Sequence, residues 1–241
     1  MKIFRRLRQK WIKTDFKKYF LYAIGEIVLV VIGILIALGI NNRQEDKRLQ
    51  KYHRDTAAQV LVQVKEDLEL IKDFRENDIY ELEHNFLRYF DRAHDTLRTS
   101  PEKVVSLMFS IANLEVSDRA TVLIDNADLR NSEYENILID IAQTYKKHLK
   151  PLYGMDEILL LTIGENLEYL RNQVPWFEDL MIDLRCNYDC QVFIKTDQSY
   201  RNRMANMRFT YIHGYGGIVE NFYDNLKARE KELSAFLHQK N

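Results

Sequence analysis

The chain has 241 residues, with 35 Lys and Arg against 36 Asp and Glu. So even a balance gives no bulk attraction to nucleic acid, and no nucleic-acid partner is expected. Eight Gly and three Pro are too few for the turns of a sheet protein or a phosphate-cradling loop, whereas helix formers abound, so the expected class is all-α.

Residues 1–18 read MKIFRRLRQKWIKTDFKK, in which Asp15 is the one acid among many bases. Ile3, Phe4, Leu7, Trp11 and Ile12 recur at helical spacing between the charges. The segment reads as a basic amphipathic helix lying along the cytoplasmic leaflet. Residues 19–41 follow as a transmembrane helix. The stretch YFLYAIGEIVLVVIGILIALGI carries one charge, Glu26, and at 1.5 Å per residue it covers about 33 Å, enough for a bilayer core. Basic residues concentrate before it and both signs mix after it, so the N-terminus is expected in the cytoplasm. The span is longer than a signal-peptide core and is expected to stay as an anchor. Glu26, Gly33 and Ala37 fall on one stripe. A carboxylate with a small-xxx-small pair suggests close helix packing, and a snorkelling Glu26 is the competing reading.

Residues 42–241 are expected to form one helical domain. From Ala57 through Leu61, Val64, Leu68 and Ile71 to Leu82, Phe86 and Phe90, apolar residues recur at steps of three and four. The register is disturbed near Asn77 and Asp78, where a bend is expected. Ser100, Pro101 and Glu102 mark a break and a new helix start. Ser117 is expected to cap a short helix, and Ser132 with Glu135 has the form of a capping box for the next. That helix is expected to loosen at Pro151 and Gly154. Another then runs to the Pro175 boundary, with the short apolar run 160–163 as core. Val192, Phe193 and Ile194 read as extended. Asp197 or Ser199 opens the last helix, which Gly214, Gly216 and Gly217 interrupt, kinking it or admitting a close neighbour. Two long terminal helices with shorter ones between them predict an elongated extracytoplasmic bundle, in which the last helix returns along the first.

Chemistry-bearing residues are sparse. Cys186 and Cys190 are the only cysteines. They would lie outside the cytoplasm and form a candidate disulfide. Their spacing is not that of a redox pair, and no further ligands for zinc stand nearby. One Glu-x-x-His element, Glu81 to His84, lacks the second copy that a di-iron site needs. Tyr211, His213, Tyr215 and the glycines around them form the most unusual local composition, either a pocket lined by aromatic faces or a tight helix crossing. No catalytic residue, cofactor site or metal site is assigned.

Phe4-Arg5-Arg6-Leu7-Arg8, the run from Tyr22 to Leu38, and Ile40-Asn41-Asn42 followed by Glu45 resemble the opening of a family of small membrane proteins of Bacteroidota, the flavobacterial group especially. Gly39 and Arg43 stand where that family commonly has Gln and Trp. The resemblance covers residues 4–45. It implies an inner-membrane location and brings no catalytic residues with it. The leading expectation is a bitopic inner-membrane protein that acts by protein contact, as a scaffold, assembly or accessory subunit. Its expected partners are the lipid bilayer and either further copies of itself or another membrane protein. A ligand-sensing bundle, which requires a cavity between helices, is the alternative. An enzyme, which requires converging carboxylates and a histidine in an apolar cleft, comes third.

Overall fold

The structure, a computed structural model, describes residues 3–91, 101–109, 111–130 and 132–239. The amphipathic face expected of the N-terminal arm and the cap expected of Ser100 lie outside the described residues. Everything described is helix, turn or connecting segment, with no strand among the described residues. In chain order the helices are α1 (Ile3–Phe74), α2 (Tyr80–Phe90), α3 (Pro101–Ser106), α4 (Arg119–Asp125), α5 (Glu135–Gln173), α6 (Phe177–Asp183), α7 (Tyr188–Thr196), α8 (Gln198–Arg208) and α9 (Gly216–His238). Two π-helical segments interrupt them, π1 (Arg75–Ile79) before α2 and π2 (Phe209–Tyr215) before α9. The chain divides into two compact units, Met1–His53 and Arg54–Asn241.

The first unit is the early part of α1. Residues 19–40 are all exposed. An uncovered apolar helix of this length is a candidate membrane span. Its Ile and Val content disfavours helix in water, but in lipid the helix is the one single-segment way to satisfy every backbone group.

The second unit builds its core from Ala57, Val60, Val64, Leu68, Ile71 and Phe74 of α1, Leu138, Ile141, Tyr145 and Leu159 of α5, and Val219, Phe222, Leu226 and Leu233 of α9. Cross-helix pairs fix the directions. Lys65 meets Glu230, Arg75 meets Glu220, and Glu83 meets Arg208. Rising numbers on one side meet falling numbers on the other, so the α8–α9 stretch runs antiparallel to α1 and α2. Tyr134 packs on Phe236 and His148 on Phe222, so α9 runs antiparallel to α5 as well. Hence α1 and α5 run the same way.

Several local expectations meet a different outcome. Helix α5 runs unbroken through Pro151. Pro151 and Lys147 are exposed, so the Lys147 carbonyl that loses its partner faces solvent, while Leu152 and Leu159 still pack beneath. Leu160 and Leu161 point outward rather than into the core. Consecutive helical residues are about 100° apart, and a run of four cannot all face one way. Residues 192–194 belong to α7, not to an extended segment. Ser132 Oγ accepts from Tyr134 N–H, one residue ahead of the helix, so the capping box with Glu135 does not form as expected. Ser117 likewise stands one residue outside the cap of α4, which Asp118 occupies without a side-chain bond, and its Oγ accepts from Arg119 N–H. Asp197 acts directly, its Oδ1 accepting from Tyr200 N–H at the start of α8.

Candidate functional site: a cleft between two π-turns

On α1 the buried residues step by three or four up to Phe74, and the next buried residue is Ile79, five positions on. A regular α-helix would rotate Ile79 off the core. The backbone instead widens by one residue, and Tyr80 N–H donates to the carbonyl of Arg75, a five-residue step. In π2 the same step links Gly216 N–H to the carbonyl of Tyr211. The two wide turns meet. Phe74 packs edge-on against Tyr215 at 6.2 Å. A Cβ on Gly216 would sit 3.2 Å from Ile79 Cγ2, so glycine here permits the close approach.

Tyr211 and Tyr215 stack with ring centroids 5.6 Å apart. Their hydroxyls hold the segment that enters α4. Tyr211 Oη donates to the Ala112 carbonyl at 2.8 Å and accepts from Ala112 N–H at 3.2 Å, and Tyr215 Oη accepts from Leu114 N–H at 2.6 Å. Burial, with Asp78 and Asp156 adding, pushes the Tyr211 phenol up to about 12. Between these parts lies a cleft of about 220 Å³, lined by Asn77, Asp78, Glu81, Leu82, Asn85, Ile111, Ala112 and Tyr211. Burial, with Asp73 and Glu81 adding, raises the Asp78 carboxyl above the usual carboxylate range. Asn77 Nδ2 donates to Asp73.

Beside the cleft, Arg75 donates to Glu220 and to Tyr80 Oη, Tyr80 Oη donates to Glu220, and the guanidinium lies 4.2 Å from the Tyr223 ring centroid. Burial alone would raise the Glu220 carboxyl, but the bonds from Arg75 and Tyr80 outweigh it and hold it lowered. Deeper in the unit, Asp67 is 2 % exposed and accepts from Tyr145 Oη and Gln63 Nε2. Burial raises its carboxyl despite those bonds. Nearby, His148 stacks on Phe222 and bonds Asn225 Nδ2, and burial followed by the charge of Lys147 lowers its imidazole.

Cys186 and Cys190 are joined by a disulfide, with Cα atoms 5.2 Å apart. Asn187 Oδ1 caps α7 by accepting from Cys190 N–H, which folds the intervening chain into a turn. Leu184, at the end of α6, takes φ 52°, a left-handed position usually left to glycine. Glu26, Gly33 and Ala37 lie on one helix within roughly 40° of rotation, and nothing stands within 4 Å of a Cβ on Gly33.

The cleft brings together two stretches that the sequence marked separately, Asn77 with Asp78 and the segment around Tyr211. Glu81, Leu82 and Asn85 join them through the helical repeat. Ile111 was readable only as an apolar position of the helix expected after Pro101, and Ala112 carried no signal, because the tyrosine hydroxyls that place this segment are about a hundred residues away. Among the described residues no three His, Cys, Asp or Glu side chains converge in a metal-holding group. The cleft pairs acidic and amide groups with apolar ones, a surface suited to recognition.

Fold and site together define an all-helical protein with one candidate membrane span among the described residues. Comparison with protein-family models, curated proteins and solved structures finds no match for the chain.

Proposed function

We propose that the chain is a single-pass inner-membrane protein whose residues 42–241 form an extracytoplasmic helical bundle that works by protein contact, as a scaffold, assembly or accessory subunit. The observation that carries this reading is the apolar surface around the disulfide. Ile182 and Leu184 are each 72 % exposed and Tyr188 is 78 % exposed. Ile182 and Leu184 stand at the end of α6, just before the disulfide-closed loop that carries Tyr188, and large exposed apolar side chains so close together in the chain mark an interaction site more often than a solvated surface. The orientation rests on the basic arm before the span.

Two measurements test it. A periplasm-dependent reporter fused after Asn241 should be active, and activity from a cytoplasm-dependent reporter there would reverse the topology. Photo-crosslinking residues placed at 182, 184 and 188 in native membranes should give one discrete product, while position 147 gives none. The paired change Ile182→Asp and Leu184→Asp should abolish that product. Equal crosslinking at all four positions would remove the apolar turn as the contact surface.

A further inference from the structure

The seam between α1–α2 and α8–α9 carries a ladder of answered charges. Glu230 has Lys65, Glu220 has Arg75, and Glu83 has Arg208. Asp78 sits between the second and third rungs and is half-buried. Asp78 has no ion pair and no side-chain hydrogen bond among the described residues, and its two charged neighbours, Asp73 and Glu81, are both acids. Glu81, one helical turn on, is likewise without a basic partner. Both carboxylates open into the cleft. A partly desolvated carboxylate beside a second one, with no cation to offset them, is an electrostatic deficit that the fold leaves to something else.

We infer that the cleft binds a small organic cation, an ammonium group on a short alkyl chain. The lining selects this class. Asp78 and Glu81 attract a positive charge and repel an anion, and no Lys or Arg lines the space. The side-chain amide of Asn85 offers a carbonyl oxygen to ammonium protons. Leu82, Ile111 and Ala112 supply an apolar wall for an alkyl chain, backed by the fully buried ring of Tyr211. A bare divalent ion gains little from that wall and finds no third carboxylate or imidazole there. The cleft, about 220 Å³, has room for a short alkylammonium. The pocket is held ready. Both hydrogen-bonding roles of the Tyr211 hydroxyl are spent on Ala112, so the ring stays fixed as a wall. The inference rests on the cleft alone and is independent of the contact surface at the disulfide.

The test is titration of the full-length protein in nanodiscs with n-butylammonium, n-butanol and butyrate, followed by calorimetry and by the amide signal of Ala112. Butylammonium should bind saturably and shift the Ala112 signal, with butanol and butyrate at least about tenfold weaker. Asp78→Asn should weaken butylammonium by about tenfold or more while the thermal midpoint holds or rises, because the substitution removes a strained charge. Asp183→Asn, outside the cleft, should bind as the native chain does. Butanol binding as tightly as butylammonium, an unchanged affinity in Asp78→Asn, an equal loss in Asp183→Asn, or no saturation would each overturn the assignment.

Discussion

Asp67 is a carboxylate in a helical core, and the two ways of replacing it separate its costs. Asp67→Ala leaves the Tyr145 hydroxyl and the Gln63 amide buried without an acceptor, and should destabilise the domain by about 2–3 kcal/mol in denaturant titrations. Asp67→Asn keeps polar atoms in place and removes the charge. Because the folded carboxyl is raised above its unfolded value, its contribution to stability is full below about pH 4 and is lost as pH rises through the folded value. The stability of Asp67→Asn relative to the native chain should therefore grow between pH 4 and pH 7. A difference that shrinks over this range would mean that Asp67 is favoured as an anion. None of this was legible in the sequence. Asp67 lies among apolar positions as any solvent-facing acid on an amphipathic helix does, and its partner Tyr145 is on another helix.

The elements show how far periodicity reaches. The buried side of α1 was readable from three- and four-residue steps, since burying one face is what stabilises such a helix. The disturbance at Asn77 and Asp78 and the unusual composition from Tyr211 onward were both visible, but a π-turn was not. A five-residue step looks like a bend until the facing helix is known. Pro151 misled for the converse reason, because its cost depends on whether the freed carbonyl meets water. The glycines of the second wide turn give a direct test. Gly216→Val places a branched side chain against Ile79 and should cost about 2 kcal/mol or more. Gly217→Ala meets nothing within 4 Å and should gain about 0.5–1 kcal/mol from helix propensity alone. Thermal midpoints shifting in the same direction for both would contradict the close approach at Gly216.

At the scale of the whole molecule, the all-helical class followed from composition and the candidate span from a single stretch, because lipid leaves so few backbone options. Partner and ligand were not legible, since they depend on surfaces assembled from distant residues. If residues 42–241 lie outside the cytoplasm, Cys186 and Cys190 should be isolated from membranes already oxidised. Peptide mass analysis without reductant should show the pair two hydrogens lighter, and full alkylation before reduction would argue against that compartment. Copies of the chain are expected to associate through the Glu26, Gly33 and Ala37 stripe. Single-cysteine crosslinking along the span should then peak near Gly33 and Ala37, and Gly33→Ile should abolish it while Leu35→Ile does not. Absent crosslinks in the native span would leave Glu26 to snorkel.

The first wide turn also bears on which changes of length the gene can tolerate. Loss of a codon within a regular helix rotates everything beyond it by about 100° and is ordinarily ruinous. Here one residue is surplus to the α-helical repeat, so losing it returns the chain to the commoner repeat instead of departing from it. A chain lacking Glu76, which is exposed, should fold with Phe74 and Ile79 still facing inward, whereas one lacking Glu69, in the regular helix, should not. Circular dichroism and solubility of the two deletions would distinguish them. Should both fold or both fail, the wide turn is no remnant of a one-residue insertion that the domain can give back.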